Sequence, residues 1–237
     1  MTKLSVNINK FATLRNARGG GNPDIIKAAM DAERFGAQGI TVHPRPDERH
    51  IRYQDVMDLT KVVTTEFNIE GYPDERYLGI IEKVKPAQAT LVPDPPDVLT
   101  SNAGWDTKEQ AELLKEIISE LKKSGARVSL FVNPNEKMVD GAAEVGADRI
   151  ELYTEPYAQN YHFNKEKAVE PYIRCASLGR ELGLGLNAGH DLDLENLAYL
   201  KGKIPYLDEV SIGHALVCDS IYLGFENAIQ MYLKQLR

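Results

Sequence analysis

The 237-residue sequence contains very little cysteine and no long apolar run. Its two cysteines, Cys175 and Cys218, form neither a Cys-x-x-Cys motif nor any other paired spacing, which argues against a disulfide scaffold or a zinc site. We expect both to be reduced packing residues within helices. No apolar segment near the first residues is long enough for a signal peptide or a membrane span, which predicts a cytoplasmic protein with no membrane partner.

Positive charge is also scarce, because 28 Lys and Arg residues face 35 Asp and Glu residues, giving a formal net charge of −7. Nucleic acids and anionic membranes both favour basic surfaces, so neither is expected as the main partner. The Gly19–Gly21 run lacks the Gly-Lys-Ser/Thr ending of a P-loop. Any phosphate site must therefore be built from cations that are concentrated locally.

Short β-branched segments alternate with longer amphipathic segments along the whole chain. The eight predicted strands are residues 4–8, 39–43, 67–71, 89–93, 127–132, 149–154, 184–189 and 208–214. Such alternation requires parallel strands joined by right-handed crossovers, and eight units in this length favour closure into a barrel. No linker interrupts the pattern. We therefore predict an α/β protein with one catalytic domain over residues 1–237, a (β/α)8 TIM barrel with additional short helices in its long loops.

Several local signals predict where the helices begin and end. Asn22 followed by Pro23 is typical of a helix start, Thr107 with Gln110 fits a capping box, and Asn135 is a candidate cap. An apolar stripe predicts one last helix with a core-facing side; its members are Tyr222, Phe225, Ile229, Tyr232 and Leu236. Two connections, residues 93–106 and 155–164, are too long for simple turns and suggest binding loops or short extra helices.

Polar residues recur at the carboxyl ends of the predicted strands, where barrels of this class carry their reactive groups. These residues are Asn7, His43, Glu70, Glu151, Asn187, His190, Gly213 and His214. Glu70 precedes Gly-Tyr-Pro at a strand end, where desolvation would raise its pKa toward the range useful for acid/base catalysis. Glu151 lies between Ile150 and Leu152 and should therefore point into the barrel, where a cationic partner is expected.

Two segments are candidate anion sites. Residues 43–52, HPRPDERHIR, hold three arginines and two histidines directly after a strand, and arginine matches phosphate oxygens well. The alternative is a solvated loop in which Asp47 and Glu48 balance the charge. The glycines after the last two strands leave backbone N–H groups free for a second phosphate, and Arg18 could help to close that site. His162 is expected to be a solvated residue. No His or Cys residues have the sequence spacing that is typical of zinc ligands, so we predict no metal.

The chain resembles the pyridoxine 5'-phosphate synthase family across nearly its whole length. The resemblance rests on VNINKFATLRNARG, GITVHPRPDERHI, NIEG, LVPD, TSNAGW, VSLFV, IELYTEPYA, LNAGHDL and EVSIGHALV, which occur in this order. It implies a transferase that condenses 1-deoxy-D-xylulose 5-phosphate with 3-amino-2-oxopropyl phosphate to give pyridoxine 5'-phosphate, phosphate and water. It also implies that no cofactor is used, that the partners are two small phosphorylated substrates, and that the chain forms a homo-octamer built from dimers.

The resemblance also implies a role for each matching residue. His43 and Glu70 would be proton acceptors, His190 a proton donor and Glu151 a transition-state stabiliser. The amino-ketone phosphate would be held by Asn7, Arg18, Gly213 and His214. The deoxyxylulose phosphate would be held by Arg45, His50 and Thr100.

The sequence departs from the common family pattern in three places, and Pro44, one of them, is expected to change no function. Asn9 and Lys10 stand where many members have Asp-His; both are expected to bind substrate, with Lys10 supplying a cation to the deoxyxylulose phosphate. Asp191 stands where a glycine often follows the histidine; it is also counted as a substrate-binding residue, and it is expected either to begin a helix or to orient His190. Two alternatives stay open: another phosphosugar barrel enzyme, such as an isomerase or aldolase, or a phosphate-binding barrel without catalysis. An aldolase would need a lysine at a strand end, and none is clearly placed there.

Overall fold

The structure, a computed structural model, describes residues 1–93 and 103–237. Eight parallel strands pair in sequence order, and the last pairs with the first, so the sheet closes into a barrel. The strands are β1 Lys3–Asn7, β2 Gly39–Val42, β3 Glu66–Gly71, β4 Gln88–Leu91, β5 Arg127–Val132, β6 Arg149–Leu152, β7 Gly185–Ala188 and β8 Glu209–Ile212. The predicted barrel is confirmed, and each predicted strand overlaps an observed one.

Helices follow every strand within the described residues and surround the barrel. They are α1 Asn9–Arg18, α2 Ile25–Arg34, α3 Tyr53–Leu59, α4 Glu75–Val84, α5 Ala111–Lys123, α6 Glu136–Glu144, α7 Glu155–Glu181, α8 Leu197–Lys203, α9 His214–Leu223 and α10 Phe225–Gln235. Two helices follow β1 and two follow β8, so the extra helices lie beside the seam where the barrel closes. No helix in these two described ranges is both long and apolar enough to cross a membrane.

The alternation of side chains along each strand places the apolar core outside the barrel, between strands and helices. In β1, Leu4 and Val6 are fully buried against that layer, while Ser5 faces inward. The barrel interior is polar instead. The Ser5 and Thr41 hydroxyls lie 2.7 Å apart, and Asn68 links Thr41 to Thr90 through hydrogen bonds of 3.2 and 2.9 Å. This ring of small polar side chains forms the layer beneath the mouth.

The lower end of the barrel carries buried or half-buried charges. Glu66 on β3 pairs with both Lys3 on β1 and Arg127 on β5. Arg149 donates to Asn187 at 2.9 Å and lies 4.0 Å from Glu209, which is almost completely buried. Burial raises the pKa of Glu209 in spite of Arg149. The carboxylates at the mouth therefore lie above an interior that already holds another carboxyl group.

The predicted helix starts are only partly correct. Asn135 caps α6 as expected, accepting from the Lys137 N–H at 3.0 Å. The cap of α2 is Asp24, whose carboxylate accepts from two backbone N–H groups, whereas Asn22 precedes a cis proline. The capping box at Thr107 is wrong, because its hydroxyl donates to the Met138 carbonyl and so fastens this segment to α6.

Two other expectations need correction, and one is confirmed. The last apolar stripe belongs to two helices, because the chain turns at Gly224; Tyr222, on the first of them, is 90% exposed. The short extra helix expected in residues 155–164 is confirmed, because this connection forms the first part of α7, which bends at Asn164. Asn164 accepts from the Lys167 N–H at 2.9 Å and so caps the second part. Cys175 is a buried packing residue as expected, but Cys218 is exposed.

Candidate active site

A cavity of about 880 Å³ opens at the carboxyl ends of the strands. Its lining includes every predicted site residue except Arg18, Thr100 and Asn187, the last of which accepts from Arg149 within the barrel. The lining residues that were predicted are Asn7, Asn9, Lys10, His43, Arg45, His50, Glu70, Glu151, His190, Asp191, Gly213 and His214. Thr100 lies outside the described residues, and Arg18 is exposed at the end of α1. The predicted residues that line the cavity come from six of the eight βα units, so only the closed barrel brings them together.

Two histidines form one side of the cavity, with ring centres 6.0 Å apart. Burial, together with His50 and Arg45, lowers the pKa of His43 to about 3. Burial, Arg45 and Lys10 likewise lower the pKa of His50 to about 4. Both rings are therefore neutral at neutral pH, and each offers one nitrogen as an acceptor and the other as a donor.

The tautomer of His50 follows from its backbone contact. Its Nδ1 accepts the Ile51 N–H at 2.9 Å, so the neutral ring carries its proton on Nε2. The Nε2–H group can then donate to an anion without the ring becoming charged. Arg45, Arg49 and Lys10 line the same cavity, which makes this side the most cationic part of the mouth.

Asparagine side chains hold the ends of the first three strands in register. Asn9 accepts the His43 N–H through Oδ1 at 2.9 Å, and its own N–H donates to Asn7 Oδ1 at 3.1 Å. Asn7 Nδ2 donates to Glu70 Oε2 at 3.4 Å. The two asparagines therefore connect His43 with Glu70, and a part of their predicted substrate-binding capacity is used within the protein.

Two carboxyl groups line the mouth, and a third lies below them in the barrel. Burial, with Glu209 below, raises the pKa of Glu70 to about 8. Burial and the neighbouring Glu70 and Glu209 raise the pKa of Glu151 well above its usual value. Glu151 is 4% exposed and points into the cavity, as its place between two apolar residues predicted. The expected cation beside it is His190, whose charge partly offsets the effect of burial.

His190 begins the loop after β7 and pairs with its own neighbour. Its Nδ1 lies 2.8 Å from Asp191 Oδ2. That hydrogen bond, with the charges of Asp191, Glu151 and Glu155, raises the pKa of His190 although burial opposes it. The site therefore holds histidines of two kinds, because the environment disfavours the protonated form of His43 and favours that of His190.

Apolar and hydroxyl side chains complete the walls. Val92, Phe131 and Tyr153 form a small buried cluster near His190, and the Tyr153 and His190 ring centres are 6.3 Å apart. Thr90 and Ser211 also line the cavity. Arg49 lies within the predicted cationic segment, and Ser211 begins the segment with Gly213 and His214 that suggested a second anion site. Phe131 is an ordinary strand residue without a distinguishing signal in the sequence.

The arginines of the ATLRNARG segment differ in their surroundings. Arg15 is buried and makes two hydrogen bonds to Asp55 at 2.6 and 2.8 Å, with a third to the His50 carbonyl at 3.1 Å. It fastens α1 to the cationic segment from behind. Arg18, the predicted phosphate ligand, lies exposed three residues later, outside the cavity lining. Its role in binding stays a prediction.

Two glycines allow strands β7, β8 and β1 to approach closely at the mouth. A Cβ atom on Gly189 would lie 2.2 Å from the Ser211 carbonyl oxygen and 3.2 Å from Glu151 Oε1. A Cβ atom on Gly213 would lie 3.0 Å from Asn7 Cβ. Larger residues at these two positions would therefore push the strand ends apart.

The chain matches the family described as "Pyridoxal phosphate biosynthesis protein PdxJ" over residues 4–237. It is 65% identical to a protein of Cytophaga hutchinsonii named pyridoxine 5'-phosphate synthase, with all of both chains covered. It is 58% identical to a protein of the same name from Porphyromonas gingivalis, over all of this chain and 99% of the relative.

Solved structures of other enzymes share the barrel. Phosphoribosylanthranilate isomerase from Thermotoga maritima matches with a TM-score of 0.62 at 14% identity, covering 100% of this chain and 98% of that one. The BexX/CysO complex of Amycolatopsis orientalis includes a chain that matches with a TM-score of 0.65 at 15% identity, covering 100% and 90%. At such low identity these matches show the fold alone.

Proposed function

The chain belongs to the pyridoxine 5'-phosphate synthase family, and we propose that its barrel mouth condenses 1-deoxy-D-xylulose 5-phosphate with 3-amino-2-oxopropyl phosphate. The products are pyridoxine 5'-phosphate, inorganic phosphate and water. The observation that carries this proposal is that neutral His43, Glu70 with a pKa of about 8, and the His190–Asp191 pair line one cavity. Imine formation, phosphate elimination and ring closure all move protons, so several acid/base groups are required.

Two separate regions of the cavity are suited to two phosphates. We assign the deoxyxylulose phosphate to Arg45 and His50, with Thr100 from the connection after β4 as a further ligand. Arg45 is buried and His50 presents an Nε2–H donor. We assign the amino-ketone phosphate to Asn7, Gly213 and His214, where α9 begins directly after β8. Arg18 would have to turn toward the mouth to join this second set.

Each titratable group has a role that its surroundings favour. His43 is neutral and so accepts protons, and Glu70 has a pKa close to the working pH, which suits repeated proton acceptance. His190 is favoured in its protonated form and donates. Burial and the neighbouring carboxyl groups raise the pKa of Glu151 and so favour its protonated form, which can donate a hydrogen bond to oxygen that becomes negative in the transition state.

This assignment requires no cofactor or metal, because the additions to carbonyl groups, the ring closure and the losses of phosphate and water can all be promoted by acid/base groups. We include in the proposal a cytoplasmic location and a homo-octamer built from dimers, both of which rest on the resemblance of the sequence. Sedimentation of the purified protein tests the assembly.

A turnover assay with both phosphates tests the function. We expect pyridoxine 5'-phosphate and inorganic phosphate in equal amounts when both substrates are present, and neither product when one substrate is omitted. Consumption of one phosphosugar alone would indicate an isomerase or aldolase. Binding of either phosphate without any product would indicate a barrel that has lost catalysis. Each of these two outcomes contradicts the proposal.

Lys10 offers a test of the deoxyxylulose phosphate site. It lines the cavity, and its charge helps to lower the pKa of His50, so its ammonium faces the cationic side of the mouth. Lys10→Met keeps the length and removes the charge. We expect KM for 1-deoxy-D-xylulose 5-phosphate to rise by about five- to tenfold, since one charge-assisted contact is lost. KM for the amino-ketone phosphate should change less than twofold.

The matched control is Lys27→Met. Lys27 lies on the exposed side of α2 and pairs with Asp31 four residues later. Both Michaelis constants should stay at the wild-type values in this variant. Equal, small changes in both constants for Lys10→Met would show that Lys10 is a surface residue with no part in binding.

A further inference from the structure

His190 and Asp191 form a hydrogen-bonded pair at the edge of the cavity. Asp191 Oδ2 lies 2.8 Å from His190 Nδ1, and both residues line the cavity wall. A carboxylate can only accept at this distance, so the proton of this contact lies on Nδ1. The other ring nitrogen, Nε2, is then the one available to a substrate.

The backbone around Asp191 is fixed from two directions. Its N–H donates to Thr154 Oγ1 at 3.3 Å, and the same hydroxyl donates to the Gly189 carbonyl at 3.0 Å. The Asp191 carbonyl accepts from Asn196 Nδ2 at 3.2 Å. Thr154 and Asn196 are both buried, so they hold Gly189, His190 and Asp191 against the end of β6 and the start of α8.

Several charged or titratable groups face His190 from neighbouring elements. Glu151 faces it from β6, Glu155 from the start of α7, and the Tyr153 ring from the end of β6. Asp193 and His214 line the same cavity from the loop after β7 and from α9. Glu155 is engaged with the Tyr153 hydroxyl, and burial raises the pKa of Glu151 well above its usual value. Asp191 is the carboxylate that contacts the His190 ring directly.

We propose that Asp191 is a positioning residue for proton donation by His190: its carboxylate binds Nδ1–H, fixes the ring and stabilises the imidazolium. This inference rests on the proposed function, in which His190 is the proton donor. In the donating step the Nε2–H bond breaks and the proton passes to a substrate oxygen. The ring becomes neutral and keeps its proton on Nδ1, where the hydrogen bond to Asp191 remains. The orientation of the ring is therefore preserved through the cycle.

Asp191→Asn tests the charge while keeping the side-chain shape. We expect the pKa of His190 to fall by about one pH unit, because the opposite charge beside the ring is lost. An NMR titration of the histidine ring nitrogens measures this value, with His190→Gln used to assign the signal. In turnover, the basic limb of the kcat profile should move to lower pH by the same amount, while both KM values change less than threefold.

Two further variants complete the test. Asp191→Glu keeps the negative charge and should bring the basic limb back toward its wild-type position. Glu195→Gln removes a carboxylate from the same loop, where Glu195 is exposed and lies 3.4 Å from His162. This control should leave the pKa of His190 and the kcat profile unchanged.

The outcomes separate this inference from the proposed function. If the wild-type protein makes no product, the proposed function fails, yet the NMR titration still shows whether Asp191 raises the pKa of His190. An unchanged pKa of His190 in Asp191→Asn overturns the inference even where turnover is normal. An equal loss of kcat at every pH, with the pKa of His190 unchanged, would assign Asp191 a structural role only and overturns it as well.

Discussion

Glu70→Gln is expected to lower kcat by at least about 100-fold, which is the usual contribution of a positioned general base. The amide matches the carboxyl in shape and keeps an oxygen for the Asn7 contact, but it cannot take up a proton. KM for both phosphates should therefore stay within about threefold of the wild-type values. Steady-state kinetics with each substrate varied in turn measures both effects.

The stability of the same variant provides its control. The pKa of Glu70 is about 8 in the folded protein, well above the usual carboxyl value, so the folded state holds this proton more tightly than the unfolded state. The contribution of Glu70 to stability therefore falls as the pH rises from about 4.5 to 8. Glutamine does not ionise, so the variant should gain stability relative to wild type across this window, by about 1.4 kcal/mol for each pH unit and so by several kcal/mol in all. Near-normal turnover of Glu70→Gln would show that Glu70 takes no part in the mechanism.

Gly189→Ala is expected to damage both stability and catalysis, although alanine is a small residue. The added Cβ would lie 2.2 Å from the Ser211 carbonyl oxygen, so β7 and β8 must move apart at the mouth. Overpacking of this kind costs about 1 to 3 kcal/mol. In a chain of this length that lowers Tm by about 3 to 10 °C. The adjacent His190 moves as well, and kcat should fall by about 100-fold.

Gly79→Ala provides the matched comparison. Gly79 lies inside α4, and a Cβ atom there would meet no other atom within 4 Å. Alanine also favours helix more than glycine does, so Tm should be equal to or above the wild-type value. Turnover should be unchanged. If the Gly189 and Gly79 variants had the same Tm and kcat, the close approach of Gly189 to Ser211 would be shown to matter for neither stability nor catalysis.

The barrel itself could be predicted because its pattern is repeated eight times. Each strand is a short β-branched run, and each is followed by an amphipathic helix, so errors at single boundaries do not alter the topology. Local capping was harder to predict. Asp24 caps α2 and Asn22 does not, because it is the Asp24 carboxylate that lies within hydrogen-bond distance of the first backbone N–H groups of the helix. Tyr222 was placed in the core because the turn at Gly224 divides one apolar stripe between two helices.

The site could be predicted to the extent that it depends on strand ends. Glu70 lies at the end of one strand and His190 directly after another, so both were expected at the mouth, where they line one cavity. Sequence spacing does not contain distances between βα units. It therefore gave no sign that Glu209, at the lower end of β8, raises the pKa of Glu70 on β3. It also did not distinguish Arg15, which is buried against Asp55, from the exposed Arg18 in the same motif.

The seam between β1 and β8 has a consequence for how the protein is made. Asn7 belongs to the first strand to leave the ribosome, and Gly213, against which it fits, follows the last. A nascent chain can fold several βα units early, yet the site proposed for the amino-ketone phosphate is incomplete until β8 has been synthesised and has docked on β1. A chain interrupted before β8 would therefore lack one wall of this proposed site.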